Sequence, residues 1–209
     1  MVKNISVSKN RQKQRLKVII ITGTPGVGKT VTSKILANRL GALYVNITDI
    51  VKDKHLILGF DEKRDTLIAN LTNLSKSIRE IINNSSKDVI IDGHYAMDVV
   101  SLNLVSFIFV LRRNPNDLKI KLEERGYSKK KVLENVASEV LDVCLTNAIR
   151  KYSLKKVDEI DVTYITADEA VDEILQVIDG QKPVCVGKVN WLGMLEAEGK
   201  VEAFLNDIN

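Results

Sequence analysis

The sequence predicts an α/β fold in three layers, with a five-stranded parallel sheet between two sets of helices. Three observations predict it. Short, near-continuous apolar runs rich in β-branched residues recur along the chain, as strands buried on both faces require. Stretches of helical periodicity separate those runs, so each strand feeds a crossover. A glycine-rich turn closes the first apolar run and opens the first helix.

The expected strands are Val18–Thr22, Ala42–Val45, Val89–Asp92, Val105–Leu111 and Val162–Ile165. The first helix begins at the Gly28 turn and stops at Gly41, which suits a left-handed C-terminal position. A long helix, polar in its second half, is expected from Asp61. Asn114-Pro115 supplies an N-cap and a first-turn proline. A further long helix is expected after Ser128, with Val132, Val136, Val140, Cys144 and Ala148 on one stripe, which makes Cys144 a core residue and not a nucleophile. Thr166 to Glu169 fits a capping box before a helix that ends near Gly180.

The chain has 209 residues, 44% hydrophobic and 28% charged, enough for one core and too apolar for a disordered chain. No apolar run approaches the ~18–20 residues of a membrane span, and the first residues hold no signal-peptide core. The expectation is a cytoplasmic protein without membrane contact, or a nuclear one in a eukaryote. Cys144 and Cys185 make no disulfide framework, and His55 and His94 no zinc spacing. The net charge of +4 is unevenly spread. Residues 1–17 hold six basic groups and no acid, leaving 25 of the 31 basic groups against all 27 acidic ones, a net of −2. Three parts follow: a basic tail over 1–16, a core domain over 17–180, and an extension over 181–209 that packs back on it. The tail is either an RNA contact or a loose, solubilising terminus.

Gly23-Thr-Pro-Gly26-Val-Gly28-Lys29-Thr30 matches the phosphate-loop pattern in full, between a buried strand and a helix. Its glycines let backbone N–H groups converge on phosphate oxygens beside a helix N-terminus. Gly26, Val27, Gly28, Lys29, Thr30 and Val31 are therefore the expected ATP contacts. Lys29 reaches the β- and γ-phosphates, and the Thr30 hydroxyl takes a place on Mg²⁺. A loop of this kind needs a carboxylate near the metal at the end of another strand, and Val89-Ile-Ile-Asp92 supplies it. Asp92 serves either the metal or the cap of the next segment. His94, two residues on, is either structural or catalytic. Arg112, Arg113 and Arg125 flank a segment suited to closing over nucleotide, and Lys129, Lys130 and Lys131 read as a solvated helix face.

The loop, the run Tyr44-Val-Asn46-Ile-Thr-Asp49-Ile, Asp92-Gly-His94, Val110-Leu-Arg112, Arg125-Gly-Tyr127 and Leu133-Glu-Asn135-Val136 with Glu139 occur in an order and spacing that resemble the adenylate kinase isoenzyme 6 family, in an archaeal-type form. The resemblance spans about Leu16 to Asp179. It implies a nucleoside monophosphate kinase-like fold with an AMP-binding segment over about 46–69 and a short lid over about 124–134. It also implies that Asp92 and His94 belong to the nucleotide site and that Arg125 closes over ATP, with Lys29, Asp92, His94 and Arg125 as catalytic groups. Asp49, Lys52, Arg64 and Arg112 are the candidates for the acceptor. Lys52 and Lys121 stand where many members have arginine, and lysine lacks the planar fork that grips phosphate bidentately.

Three functions follow. The first is transfer of phosphate from Mg²⁺-bound ATP to AMP, giving two ADP, with ATPase activity beside it. The second is an ATP-gated assembly factor for the small ribosomal subunit, binding universal ribosomal protein eleven and the pre-ribosomal particle. The third is a small-molecule kinase such as a shikimate or gluconate kinase.

Overall fold

The computed structural model describes residues 16–62 and 66–208. The basic tail through residue 15 and Arg64 lie outside them. From β1 (Val18–Thr22) the chain runs through α1 (Lys29–Leu40), β2 (Leu43–Asn46), α2 (Ile47–Asp53) and the hairpin of β3 (Ile57–Asp61) and β4 (Thr66–Ala69). It continues through α3 (Leu71–Asn84), β5 (Val89–Asp92), α4 (Ala96–Val99), β6 (Phe107–Arg112) and α5 (Pro115–Glu124). The remainder is α6 (Lys129–Val140), α7 (Val143–Tyr152), β7 (Val157–Asp161), α8 (Ala167–Ile178), α9 (Trp191–Ala197) and α10 (Val201–Ile208).

Five strands form one parallel sheet in the order β2-β5-β1-β6-β7. β1 lies at its centre and is buried along its whole length. Ile19 and Ile21 face one helical layer with Leu36, Val136 and Ile174, while Val18 and Ile20 face the other with Leu74, Ile78 and Ala148. Each such isoleucine contributes about 1.5–3 kcal/mol over an exposed one. From β1 the chain passes to the edge strand β2, returns through β5 beside β1 and then crosses to β6 and β7, so the direction of winding changes at β1 and a crevice opens at its carboxyl end. The expected caps form: Gly41 at φ 60, Asn114 accepting from Asn116 N, and a reciprocal capping box between Thr166 and Glu169.

Three expected elements are corrected. The last strand is β7, Val157–Asp161, and not Val162–Ile165. Its sequence carries three acids, and two of them, Asp158 and Glu159, are almost wholly buried because each carboxylate is bonded. Glu159 accepts from Arg112 Nη1 at 2.6 Å and from Lys188 N at 2.7 Å. Asp158 accepts from Cys185 N at 2.7 Å and Lys188 Nζ at 3.1 Å. The long helix after Ser128 breaks into α6 and α7 at Leu141-Asp142, where Asp142 takes φ 54. Val132, Val136 and Val140 pack on one face of the sheet, and Leu145, Ala148 and Tyr152 on the other. One straight helix cannot serve both faces, so the apolar stripe continues across a break. The helix expected from Asp61 is replaced by the β3–β4 hairpin followed by α3, whose N-cap is Asn70. β2 and β6 differ from their expected bounds by one or two residues at their ends.

Candidate nucleotide site

The loop between β1 and α1 wraps tightly because two of its glycines leave no room for a side chain. A Cβ on Gly23 would stand 2.4 Å from the Leu111 carbonyl oxygen, and one on Gly26 would meet Leu118 at 2.8 Å and Leu122 at 2.9 Å. Both residues also take positive φ, 137° and 96°. Val27 is buried in the core beneath, which pins the loop. Gly28, Lys29, Thr30 and Val31 then begin α1, where first-turn N–H groups have no partner within the helix. Lys29 Nζ donates to the Gly23 and Thr24 carbonyls at 2.8 and 2.9 Å. Burial presses its ammonium below the usual lysine range, and Arg125 adds to the push while Asp92 and Glu139 oppose it.

Parallel register carries Asp92 to this loop, since it lies opposite Ile21 on β1 and opposite Asn46 on β2. Its buried carboxylate accepts on Oδ2 from Thr30 Oγ1 at 2.7 Å, Asn46 Nδ2 at 2.8 Å and the Tyr44 hydroxyl at 3.0 Å. Burial pushes the Tyr44 phenol up to about 12, so it stays a donor. The Thr30 and Asp92 oxygens suit a magnesium ion, a hard cation bound by one or two side chains together with substrate phosphates. Among the described residues no group of three or more histidine, cysteine or carboxylate side chains offers a protein-only metal cage. In the sequence, Tyr44 and Asn46 have a place in the run that carries the resemblance but no part in holding Asp92. Their contact depends on β2 lying beside β5, which no local pattern reveals.

His94 stands where three cavities meet. One of about 580 Å³ reaches from Thr24 and Pro25 to Cys144 and Arg150. A second of about 400 Å³ extends under Tyr127 and Lys131. The third, about 240 Å³, has apolar walls from Ile47, Val51, Phe60 and Leu67, with Thr48 and Lys52 as polar members. The cleft walls, and then the Lys29 ammonium, push the His94 imidazole down to about 4, although its ring keeps an open side toward the cleft. The direction favours a neutral ring. Cys144 is half-buried and lines the largest cavity, and burial pushes its thiol up, so it remains a neutral wall group.

The expected acceptor residues separate. Lys52 lines the apolar-walled cavity, whereas Asp49 is exposed in the first turn of α2 and outside that lining. Arg112 as an acceptor contact is corrected. It is buried, with Nε on Glu139 at 2.8 Å, Nη1 on Glu159 at 2.6 Å, and Nη2 on the Glu139 carbonyl at 2.9 Å and on Asp142. Its donors are committed to holding β6, β7 and the α6–α7 break together. Arg125 ends α5 as its C-cap and is exposed, with Gly126 at φ 74 turning the chain toward α6. The expected lid over 124–134 is thus a four-residue turn and the first half of α6. Arg150, on the wall of the largest cavity, was missed because a basic residue in a last helical turn looks like solvated surface.

Residues 19–142 match a family model described as an AAA domain. A protein of Methanocaldococcus jannaschii named "Putative adenylate kinase" is 44% identical over 173 residues, covering 83% of this chain and 92% of its own length. The chain belongs to this adenylate kinase family. A member from Pyrococcus furiosus with the same name is 38% identical over 180 residues, covering 86% of this chain and 93% of its own. Among solved structures, a shikimate kinase from Acinetobacter baumannii shares the fold with a TM-score of 0.55 at 16% identity, over 80% of this chain and 95% of that one. In this chain the sheet brings the phosphate loop, Gly23 to Thr30, and the strand-end carboxylate of Asp92 within hydrogen-bond reach of each other.

Proposed function

We propose that the chain is a nucleoside monophosphate kinase of the isoenzyme 6 type, transferring the γ-phosphate of ATP to AMP to give two ADP. The observation that carries this reading is the contact of Thr30 with Asp92 beside the phosphate loop, two residues from a cavity wall made by His94. ATP phosphates fit the N–H groups of Gly26 to Val31. Lys29 exchanges its two carbonyl partners for β- and γ-oxygens, which relieves the cost of a buried ammonium bonded only to neutral groups. Thr30 and Asp92 hold Mg²⁺, which when bound neutralises charge on the transferred group. The 240 Å³ cavity suits a nucleobase: apolar walls that include the Phe60 ring, with Thr48 and Lys52 for polar contact. Neutral His94 sits between donor and acceptor and orients either the acceptor or a water. Arg125 excludes water as the turn over 125–128 closes on ATP.

The names of the family members support AMP as acceptor. The shikimate reading rests on the shared fold alone, and the apolar acceptor cavity suits a ring base better than a polyhydroxy acid. The assembly-factor reading rests on the resemblance and on the basic tail, and it is compatible with ATPase activity at the same loop. The deciding experiment measures ADP formed from ATP with and without AMP, across a panel of monophosphates and with a small-subunit ribosomal protein. Two ADP per turnover, dependent on AMP, supports the kinase. Hydrolysis stimulated by the ribosomal protein alone would replace it with the assembly factor, and activity only with shikimate or a sugar would replace it with the third reading.

A further inference from the structure

Glu139 is buried on α6 and receives four donors on its carboxylate. Oε2 accepts from the Thr24 hydroxyl of the phosphate loop. Oε1 accepts from Arg112 Nε at 2.8 Å, Arg113 N at 3.1 Å and the Trp191 indole Nε1 at 3.2 Å. Trp191 opens α9, beyond residue 142 where the AAA-domain match ends. The segment that brings it there is tied to the sheet edge. Glu159 N donates to the Cys185 carbonyl at 2.9 Å, and Cys185 N and Lys188 N donate to the Asp158 and Glu159 carboxylates. Trp191 and the loop residue Val27 also share one apolar cluster.

We propose that the C-terminal segment is a positioning element for nucleotide binding, acting on the phosphate loop through a relay from Trp191 to Glu139 to Thr24. Glu139 is its positioning residue. The proposal rests on ATP binding at this loop. The Thr24 hydroxyl and carbonyl belong to one residue: the first is held by Glu139 and the second by Lys29. When phosphate draws Lys29 off that carbonyl, the Thr24 peptide is freed on one side while Glu139 still holds the other. The Thr24 hydroxyl and the indole N–H bond the two oxygens of one delocalised carboxylate, so a change at Thr24 alters the bond that Glu139 accepts from the indole. Removing the indole N–H loosens the carboxylate and, with it, the loop geometry that N–H donors need to converge on phosphate.

Trp191 is the sole tryptophan, so its fluorescence reads the relay directly. ATP binding is followed by calorimetry and by Trp191 emission in the wild type and in Thr24→Val, which keeps the branched shape and deletes the hydroxyl. The expected result is an emission shift in the wild type with the calorimetric midpoint, absent in Thr24→Val at ATP concentrations raised until calorimetry shows its weakened site filled. Trp191→Phe, which keeps the ring in the core, should raise KM for ATP several-fold with kcat within about twofold and little change in Tm. Unchanged wild-type emission while calorimetry shows ATP bound would overturn the relay. So would a full shift in Thr24→Val, or wild-type KM for ATP in Trp191→Phe whatever its Tm. No heat of binding with ATP would instead refute the proposed function, and the relay with it.

Discussion

Replacing Asp92 with asparagine separates what its carboxylate does for the fold from what it does for magnesium. Asp92 Oδ2 accepts three hydrogen bonds, from Thr30, Tyr44 and Asn46. An amide oxygen in its place accepts the same three, each falling from about 1.5–3 to about 0.5–1.5 kcal/mol as the acceptor loses its charge. The summed loss of about 3 kcal/mol is opposed by removal of a buried anion, whose desolvation costs several kcal/mol. Net stability should therefore change by less than about 2 kcal/mol, a Tm shift under about 8 °C for a chain of this size. Magnesium affinity loses a negative ligand environment, and a change of about 10–100-fold is typical of disturbed metal surroundings. The assay is ADP formation at fixed ATP against total Mg²⁺, with and without AMP, and thermal melting on the same preparation. The Mg²⁺ midpoint should rise by that factor in both reactions. A midpoint within twofold of wild type, with turnover intact, would show that Asp92 serves only to tie β5 to β2 and α1.

Lys29→Ala should abolish nearly all ATP turnover while Tm holds or rises, because a buried ammonium is removed from a site where burial already disfavours its charge; wild-type turnover would refute the loop assignment. Arg112→Ala should cost about 3–5 kcal/mol by leaving Glu139 and Glu159 buried without their cation. Its effect should appear in melting and not in KM for AMP, and a stable variant with raised KM would return Arg112 to the acceptor site. Arg125→Ala should lower kcat more than it weakens ATP binding, because its contact forms on closure; an unchanged kcat would leave it a surface cap. His94→Ala should reduce hydrolysis more than AMP phosphorylation, since an attacking water needs orienting and an anionic acceptor needs no base. Equal losses with a lowered Tm would make His94 structural.

The phosphate loop and its strand were legible in the sequence because both are local. Gly23, Gly26 and Gly28 stand at spacings that backbone geometry dictates, next to a run of isoleucines that can only be interior. The parallel sheet followed from the same local arithmetic of strand and crossover, and the caps at Gly41, Asn114 and Thr166 from single residues. Tertiary structure decided the rest wherever a charged group was buried. β7 hides two acids because Arg112, Lys188 and the Cys185 backbone meet them from elsewhere in the chain. The same pairing took Arg112 out of the acceptor site, and the need to cover both sheet faces split the helix expected after Ser128. Tyr44 and Asn46 joined the site only through the β2–β5 register, and Trp191 reached Glu139 across 52 positions of sequence. Apolar periodicity and turn geometry are properties of neighbours along the chain. The partner that makes a buried charge tolerable is set only when distant segments meet.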